Sequence, residues 1–403
     1  MEPRRRTRSR SGQTVATGAW APRRKGSDVY ARRRLIAIVV VGLLVGVPLF
    51  LITRPSGSGD EQSLAPPAEP TDEPQSCRQA VDLLSQRSRL ALLLMVGFDG
   101  DNLLLAEAYL GGTDRPGGIF VQSGTAVWDE GVFETKREDL LPQIVAVDDE
   151  GGRVQPLAGT LDDIPAAATL ASSTPAEVEA DAAGRGEALR NLGIDVVFAP
   201  VVDVGGGAGI GDRSFSDDPA VVASHAGAYA RGLREAGVLP VIKHFPGHGR
   251  ASGDTHDGPA TTPSLAELMQ VDLLPYEALL AEAPIGVMVG HLDVPGFTES
   301  GVPASLSPAA VGLLRGSYEF DGIVFTDDLV AMDAVTGRFG VPEAVERAII
   351  AGVDMPLLAR ETDISAVLDR LTEAMQAGRL TETRVAAALD RIVEASGCED
   401  RAN

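Results

Sequence analysis

Eight short apolar segments recur along the chain, and each one ends in turn-forming or charged residues. They are LALLLMVGF (90–98), GGIFV (117–121), QIVAV (143–147), DVVFAP (195–200), VLPVI (238–242), IGVMVG (285–290), GIVF (322–325) and GVDMPLL (352–358). Uninterrupted apolar runs are typical of parallel strands covered on both faces, whereas a sheet with one wet face shows alternating polarity. The pattern therefore predicts eight buried parallel strands.

Helices with readable ends lie between several of these segments. Capping boxes at 174–177 and 264–267 and an Asp-Pro pair at 218–219 predict three helix starts, and Gly193 and Gly237 predict the ends of two of them. Strand and helix alternating eight times predict an α/β fold, namely a (β/α)8 TIM-type barrel that forms a single catalytic domain. An open, doubly wound sheet is the alternative, but no G-x-G-x-x-G follows the first strand.

The region before the barrel has a different composition. Residues 1–55 carry twelve Lys or Arg side chains against two acids, although the whole chain has a net charge of -22. Residues 35–53 begin with eighteen uncharged residues, enough for about 27 Å of helix. We predict a cytoplasmic tail at 1–34, a transmembrane signal-anchor at 35–53, a Pro-rich acidic linker at 54–76 and the barrel at 77–398, on the extracytoplasmic side of the cell membrane. A cleaved signal peptide, which would release a secreted protein, is the alternative.

The cysteine content and the charge of the barrel region add two expectations. Cys77 and Cys398 are the only cysteines, and they bracket nearly the whole predicted domain. We predict a disulfide between them in an oxidising compartment, with two unpaired thiols as the alternative. The acidic barrel region argues against a nucleic-acid partner, because phosphate binding needs a basic face.

Titratable residues follow five of the predicted strands, at the end where barrel enzymes place their active sites. They are Asp148, Asp149, Glu150 and Arg153; Asp203, Asp212 and Arg213; Lys243, His244 and His248; His291; and Asp327 and Asp328. Four of the five histidines lie in this set or in the loop beside it. The fifth, His225, is predicted to be an ordinary residue of a helix.

The histidine-rich segment 243–258 raises the question of a metal site. His244 and His248 would share one face only if the backbone between them were helical, and Pro246-Gly247 breaks a helix there. A loop could still assemble ligands, but we predict no metal.

Acid–base chemistry is the other interpretation of this segment. Asp254 lies two residues before His256, so its carboxylate can hold one ring nitrogen and raise the proton affinity of the other. That arrangement makes a proton donor without a metal. The alternative is an Asp–His turn contact with no chemistry.

Five motifs resemble those of glycoside hydrolase family 3, and they occur in that family's order. They are VDDEGGRVQ (147–155), GDRSF (211–215), KHFPGHG (243–249), DTH (254–256) and FTDDL (325–329). The chain is most similar to the family's single-domain bacterial β-N-acetylglucosaminidases, which process peptidoglycan, and the similarity spans about residues 85–395. Thr255 stands where Ser is common, and Val330 stands where a small polar residue is frequent.

The resemblance implies a role for each matching residue. It implies that Asp327 is the catalytic nucleophile, His256 the general acid/base and Asp254 its dyad partner. It also implies four residues that bind the sugar, namely Asp148, Arg213, Lys243 and His244. The residues expected to support the site are His248, Arg153 and His291. No cofactor is implied.

The activity implied is that of a retaining exo-β-N-acetylglucosaminidase, a monomer that removes non-reducing terminal GlcNAc from peptidoglycan-type fragments. In two-domain members of this family, the second domain can supply the acid/base. About 45 residues follow the eighth strand here, too few for such a domain, so the resemblance implies that the proton donor comes from the barrel. A phosphorylase is one alternative, because an imidazole repels phosphate less than a carboxylate does. A β-glucosidase is another. A non-catalytic cell-wall-binding protein is the remote one, since such a protein would be expected to have lost Asp327 or His256.

Overall fold

The computed structural model describes residue 74 and residues 76–133, 140–282 and 284–398. The predicted tail, the signal-anchor at 35–53 and nearly all of the linker lie outside the described residues. Within the described ranges, no helix is both long and apolar enough to cross a membrane.

Ten strands occur in the described part of the chain. They are β1 (Met95–Asp99), β2 (Gly118–Ser123), β3 (Ile144–Val147), β4 (Val196–Val197), β5 (Leu239–Phe245), β6 (Ala260–Thr261), β7 (Gly286–Val289), β8 (Leu292–Asp293), β9 (Val324–Asp328) and β10 (Met355–Leu358). Eight of them form a closed parallel barrel in the order β1-β2-β3-β4-β5-β7-β9-β10, and β6 pairs with β8 outside it. Each of the eight predicted segments overlaps one barrel strand, so the predicted TIM-type barrel is confirmed.

Helices connect the strands. They are α1 (Cys77–Asp82), α2 (Gln86–Ala91), α3 (Leu103–Gly111), α4 (Ala126–Asp129), α5 (Ala167–Leu170), α6 (Pro175–Asn191), α7 (Pro219–Glu235), α8 (Leu265–Leu268), α9 (Leu274–Leu279), α10 (Pro308–Gly312), α11 (Asp333–Thr336), α12 (Val341–Ala351), α13 (Ile364–Gln376) and α14 (Glu382–Ser396). A 3-10 turn at Gly211–Arg213 lies between β4 and α7.

The helix starts predicted from capping patterns are all present. Thr174 and Glu177 form the reciprocal capping box of α6, and the Asp218 carboxylate accepts from the backbone at the start of α7. The capping box at Ser264 opens only the four-residue α8. The helix is interrupted between α8 and α9, where the Leu273 N–H donates to the Leu268 carbonyl, five residues back, at 2.9 Å. Helix α9 then begins with Pro275 in its first turn, a position that proline tolerates well.

A disulfide joins Cys77 in α1 to Cys398, two residues after α14. Both side chains are fully buried, and the bond closes a loop across a sequence separation of 321 residues. A cross-link over so long a loop restricts the unfolded chain strongly, and it stabilises a domain by about 5 kcal/mol at most.

We therefore expect reduction of this disulfide to lower the free energy of unfolding by up to about 5 kcal/mol. Thermal unfolding with and without reductant measures the effect, and the paired Cys77→Ser and Cys398→Ser variant should match the reduced protein. Unfolding transitions that coincide in the two conditions would contradict the expectation.

Candidate active site

A cavity of about 490 Å³ lies at the carboxyl ends of the barrel strands. Nine of the ten residues predicted to form the site line it, namely Asp148, Arg153, Arg213, Lys243, His244, His248, Asp254, His256 and Asp327. They come from the ends of β3, β5 and β9 and from the loops after β4 and β5. The tenth, His291, contacts the backbone next to Asp327 from outside this lining.

Two cations and two carboxylates form a compact cluster in the cavity. The Lys243 ammonium contacts Asp148 and lies 2.5 Å from a Glu150 oxygen, and the Arg213 guanidinium donates to both Glu150 oxygens at 2.6 Å. Burial favours protonation of Glu150, but Lys243 and Arg213 outweigh it and hold the pKa of that carboxyl well below its usual range. Burial raises the pKa of Asp148 against the attraction of Lys243. Glu150 is therefore the permanent counter-ion, and Asp148, whose side chain is 34% exposed, is the carboxyl of the cluster that is open to a bound molecule.

Asp203, which is fully buried, fixes the orientation of His244. Its carboxylate accepts from Nδ1 of His244 at 2.7 Å and from the backbone N–H groups of His244 and His248 at 3.3 and 2.6 Å. Nε2 of His244 lies 3.3 Å from an Arg213 nitrogen, which can only donate. Burial lowers the pKa of His244 despite the attraction of Asp203. The ring is therefore held neutral, with its proton on Nδ1.

Asp327 stands in β9 as a buried, ionised carboxylate. One of its oxygens accepts from the backbone N–H of Asp328 at 2.9 Å. Burial favours the protonated form, but the interactions with His244, His291 and Lys243 and the hydrogen bond from the Asp328 N–H lower the pKa of Asp327 below its usual value. A deprotonated carboxylate at neutral pH is what a nucleophile requires.

The backbone beside Asp327 is held from two sides. Nε2 of His291 lies 2.8 Å from the Asp328 carbonyl and must donate to it, so Nδ1 accepts from the Ser305 hydroxyl at 2.7 Å. The Asp328 carboxylate accepts, at 2.9 to 3.0 Å, from the backbone N–H groups of Val330, Ala331 and Ala359. His291 and Asp328 thus fix the end of β9 without reaching the cavity lining.

Asp254 and His256 form a hydrogen-bonded pair on the loop after β5. Nδ1 of His256 lies 2.7 Å from an Asp254 oxygen, which also accepts from the backbone N–H of His256 at 3.0 Å. Partial burial opposes ionisation of Asp254, but these bonds outweigh it and lower the pKa of the carboxyl. The pair places the proton on Nδ1, so Nε2 is the nitrogen left open to a bound group. The His256 side chain is 58% exposed and lines the same cavity as Asp327.

Two further residues singled out from the sequence lie in different surroundings. Nη2 of Arg153 donates to the carbonyls of Gly209 and Ile210, each at 2.9 Å, and Arg153 also pairs with Asp212. His225 lies on α7, away from the cavity lining, with its ring nitrogens at 3.0 and 3.1 Å from two backbone carbonyls.

Sequence reasoning did not assign three residues that shape this site. In the sequence, Glu150 and Asp203 appear only as polar residues beyond strands, and Ser305 belongs to none of the motifs. Glu150 lies inside the VDDEGGRVQ motif and Asp203 just beyond β4, so both carried a positional signal; Ser305 carried none. In the residues that the structure describes, no three His, Cys, Asp or Glu side chains are grouped as a metal ion would require.

Comparisons with known proteins agree on one family. The model described as the glycosyl hydrolase family 3 N-terminal domain matches residues 122–395. The β-hexosaminidase LpqI of Mycobacterium tuberculosis is 46% identical over 370 residues, which cover 86% of this chain and 93% of that protein. A solved glycosyl hydrolase of the GH3 family from Mycobacterium smegmatis superimposes with a TM-score of 0.74 at 47% identity, covering 78% of this chain and 98% of its own. A glycoside hydrolase family 3 β-N-acetylglucosaminidase from Paenibacillus superimposes with a TM-score of 0.71 at 29% identity, covering 79% and 63%.

Proposed function

Because this chain belongs to glycoside hydrolase family 3, we propose that it is a retaining exo-β-N-acetylglucosaminidase with Asp327 as nucleophile and His256 as general acid/base. The chain is a glycoside hydrolase, and its relative LpqI is named a β-hexosaminidase. The observation that carries the mechanism is that one cavity holds both an ionised carboxylate on β9 and a carboxylate–imidazole pair on the loop after β5.

The cluster around Lys243 suits recognition of a terminal sugar. Asp148 offers a carboxyl to hydroxyl groups, while Lys243 and Arg213 supply donors that stay charged beside Glu150. Because Glu150 and Asp203 already compensate the buried cations and orient His244, these polar groups are held in place before the sugar arrives. Such preorganisation lowers the cost of binding.

The first chemical step would form a glycosyl-enzyme ester. An Asp327 oxygen attacks the anomeric carbon, the bond to the leaving oxygen breaks, and Nε2 of the imidazolium form of His256 gives that oxygen its proton. The Asp254 carboxylate stabilises the imidazolium through Nδ1–H.

The second step would release the sugar. Neutral His256 takes a proton from water at Nε2, the water oxygen attacks the anomeric carbon, and the ester to Asp327 breaks. Two displacements restore the β configuration and return the proton to His256. An imidazole suits both directions of transfer because it gains and loses protons near neutral pH.

We further propose that the natural substrate is a peptidoglycan-type fragment with a terminal β-GlcNAc, and that residues 35–53 anchor the enzyme with its barrel outside the cell membrane. The buried Cys77–Cys398 disulfide supports this location, because such bonds persist in oxidising compartments. The name of the Paenibacillus relative supports the sugar.

The test is an assay of the protein against aryl β-N-acetylglucosaminide and aryl β-glucoside, with and without phosphate. We expect preferential turnover of the N-acetyl substrate, with free β-configured sugar as the first product in NMR spectra. A sugar phosphate as product would instead identify a phosphorylase, and preference for the glucoside a β-glucosidase. No turnover by the folded protein would overturn the enzymatic proposal.

A further inference from the structure

A glycine-rich segment, residues 205–211, packs against the loop that carries Asp254 and His256. At the root of that loop, the Gly207 N–H donates to the Gly249 carbonyl at 2.9 Å. Nearer the tip, Gly209 faces the Asp254 carboxyl group so closely that a Cβ atom on Gly209 would lie 3.1 Å from its carbon and from one oxygen. The Asp254 side chain therefore rests directly on the backbone of Gly209.

Two arginine side chains converge on the carbonyl oxygen of Gly209. Nη2 of Arg153 donates to it at 2.9 Å and Nη1 of Arg213 at 3.2 Å. Arg153 also holds the next carbonyl, that of Ile210, at 2.9 Å, while Arg213 is itself held by Glu150 in the sugar-binding cluster. The turn at Gly209 thus connects the Arg213 guanidinium to the backbone surface that contacts Asp254 of the Asp254–His256 pair.

Most hydrogen bonds within this loop act on its backbone: the Asp254 carbonyl accepts from the Asp257 and Gly258 N–H groups at 3.1 and 3.2 Å, and Ser252 pairs with Thr261. Most of the His256 side chain is exposed, and the loop contains Gly253 and Gly258, both with positive φ. The loop has a second support where the Thr255 carbonyl accepts from the Ala334 N–H at 3.2 Å. These bonds hold the loop backbone, whereas Gly209 meets the Asp254 carboxylate itself, so we expect this contact to set the position of the carboxylate and with it that of the His256 ring.

We propose that Gly209 and Arg153 are positioning residues for proton donation. Arg153 and Arg213 hold the Gly209 turn in place, and the turn sets where Asp254 presents Nε2 of His256 to the leaving oxygen. The inference rests on the proposed acid/base role of His256. Neither Gly209 nor Arg153 needs to touch the reacting bond to act in this way.

Gly209 meets two requirements that no other residue type meets equally well. Its φ is +79°, in the left-handed region where a Cβ atom is strained. An added methyl group would also push the Asp254 carboxylate away by a few tenths of an ångström. Small displacements of catalytic groups are costly, up to about 100-fold in rate for 1 Å.

The experiment compares kcat/KM for β-N-acetylglucosaminides with dinitrophenyl, nitrophenyl and phenyl leaving groups in Gly209→Ala, Arg153→Met and His256→Ala. A dinitrophenolate leaves without protonation, whereas a phenolate needs a proton donor. We expect Gly209→Ala and Arg153→Met to lose about 10-fold to 100-fold on the phenyl glycoside, and distinctly less on the dinitrophenyl glycoside. His256→Ala should show the same dependence on the leaving group with a larger loss.

Gly237→Ala is the matched control. Gly237 has a φ of +76°, a Cβ there meets nothing within 4 Å, and the residue precedes β5 at the end of the barrel away from the cavity. It should lower thermal stability as Gly209→Ala does, yet keep the wild-type dependence on the leaving group.

The outcomes separate this inference from the proposed function. Equal losses on all three glycosides in Gly209→Ala, or a profile no different from that of Gly237→Ala, would overturn the positioning role while leaving His256 as the acid. A His256→Ala variant whose kcat/KM does not depend on the leaving group would overturn the acid/base proposal itself, and the positioning role with it.

Discussion

Replacing Asp327 with Ala should lower kcat on an aryl β-N-acetylglucosaminide by about 10⁴-fold or more, the scale of loss when a covalent nucleophile is removed. The carboxylate is ionised because His244, His291 and Lys243 outweigh its burial, and no other carboxylate in β9 can replace it. The neighbouring Asp328 carboxylate is committed to three backbone N–H groups.

Azide gives this prediction a stereochemical readout. In Asp327→Ala, azide should enter the space left by the carboxylate, displace the leaving group directly and yield an α-glycosyl azide, partly restoring turnover. Asp328→Asn is the matched control: it removes the adjacent charge, should lower stability through its backbone contacts, and should yield no α-azide. Turnover by Asp327→Ala at a rate close to that of wild type would show that another group is the nucleophile.

Replacing His256 with Ala should lower kcat/KM by about 10²-fold to 10⁴-fold on glycosides with poor leaving groups, the usual contribution of general acid catalysis. With a dinitrophenyl glycoside the first step no longer needs a proton donor, so the glycosyl-enzyme should accumulate because no base activates water. Azide needs no base and should restore turnover, this time as the β-glycosyl azide, since Asp327 still performs the first displacement.

His225→Ala is the control for this second prediction. His225 is a buried histidine on α7 whose ring nitrogens face two backbone carbonyls, and it does not line the cavity. Its replacement should affect thermal stability and leave the products unchanged. An α-azide from His256→Ala, or no rescue at all, would contradict the role assigned to His256.

The barrel could be predicted from the sequence because its cause is local. Each strand is a short run of residues that are apolar on both faces, as a strand between the barrel interior and the helices must be. The starts of α6 and α7 are equally local, since Thr174 and Asp218 cap the backbone within three residues. The capping box at Ser264 indicated where α8 begins, but nothing local indicated that the helix ends after four residues.

The clustering of the site residues in one cavity could also be predicted from their positions along the chain. Parallel barrel strands bring their carboxyl ends to one face, so residues just beyond β3, β5 and β9 had to converge there. Motifs matching a known family suggested which of them carry the chemistry. Proximity is a consequence of topology, and topology follows from the strand pattern.

The pairing of charges in the cavity could not be predicted in the same way. Glu150 binds Arg213 across 63 residues, and Asp203 binds His244 across 41, so no local pattern distinguishes these counter-ions from Asp148 or Asp327. The contact of Gly209 with Asp254 is likewise a meeting of two loops. The strands, the helix starts and the set of polar residues at the barrel mouth could be predicted from the sequence, because these features depend on neighbours along the chain. The folded structure was needed to show that Glu150 is neutralised by cations, that Asp148 stays exposed and that Asp203 orients His244. Burial and pairing depend on distances between segments far apart in the chain.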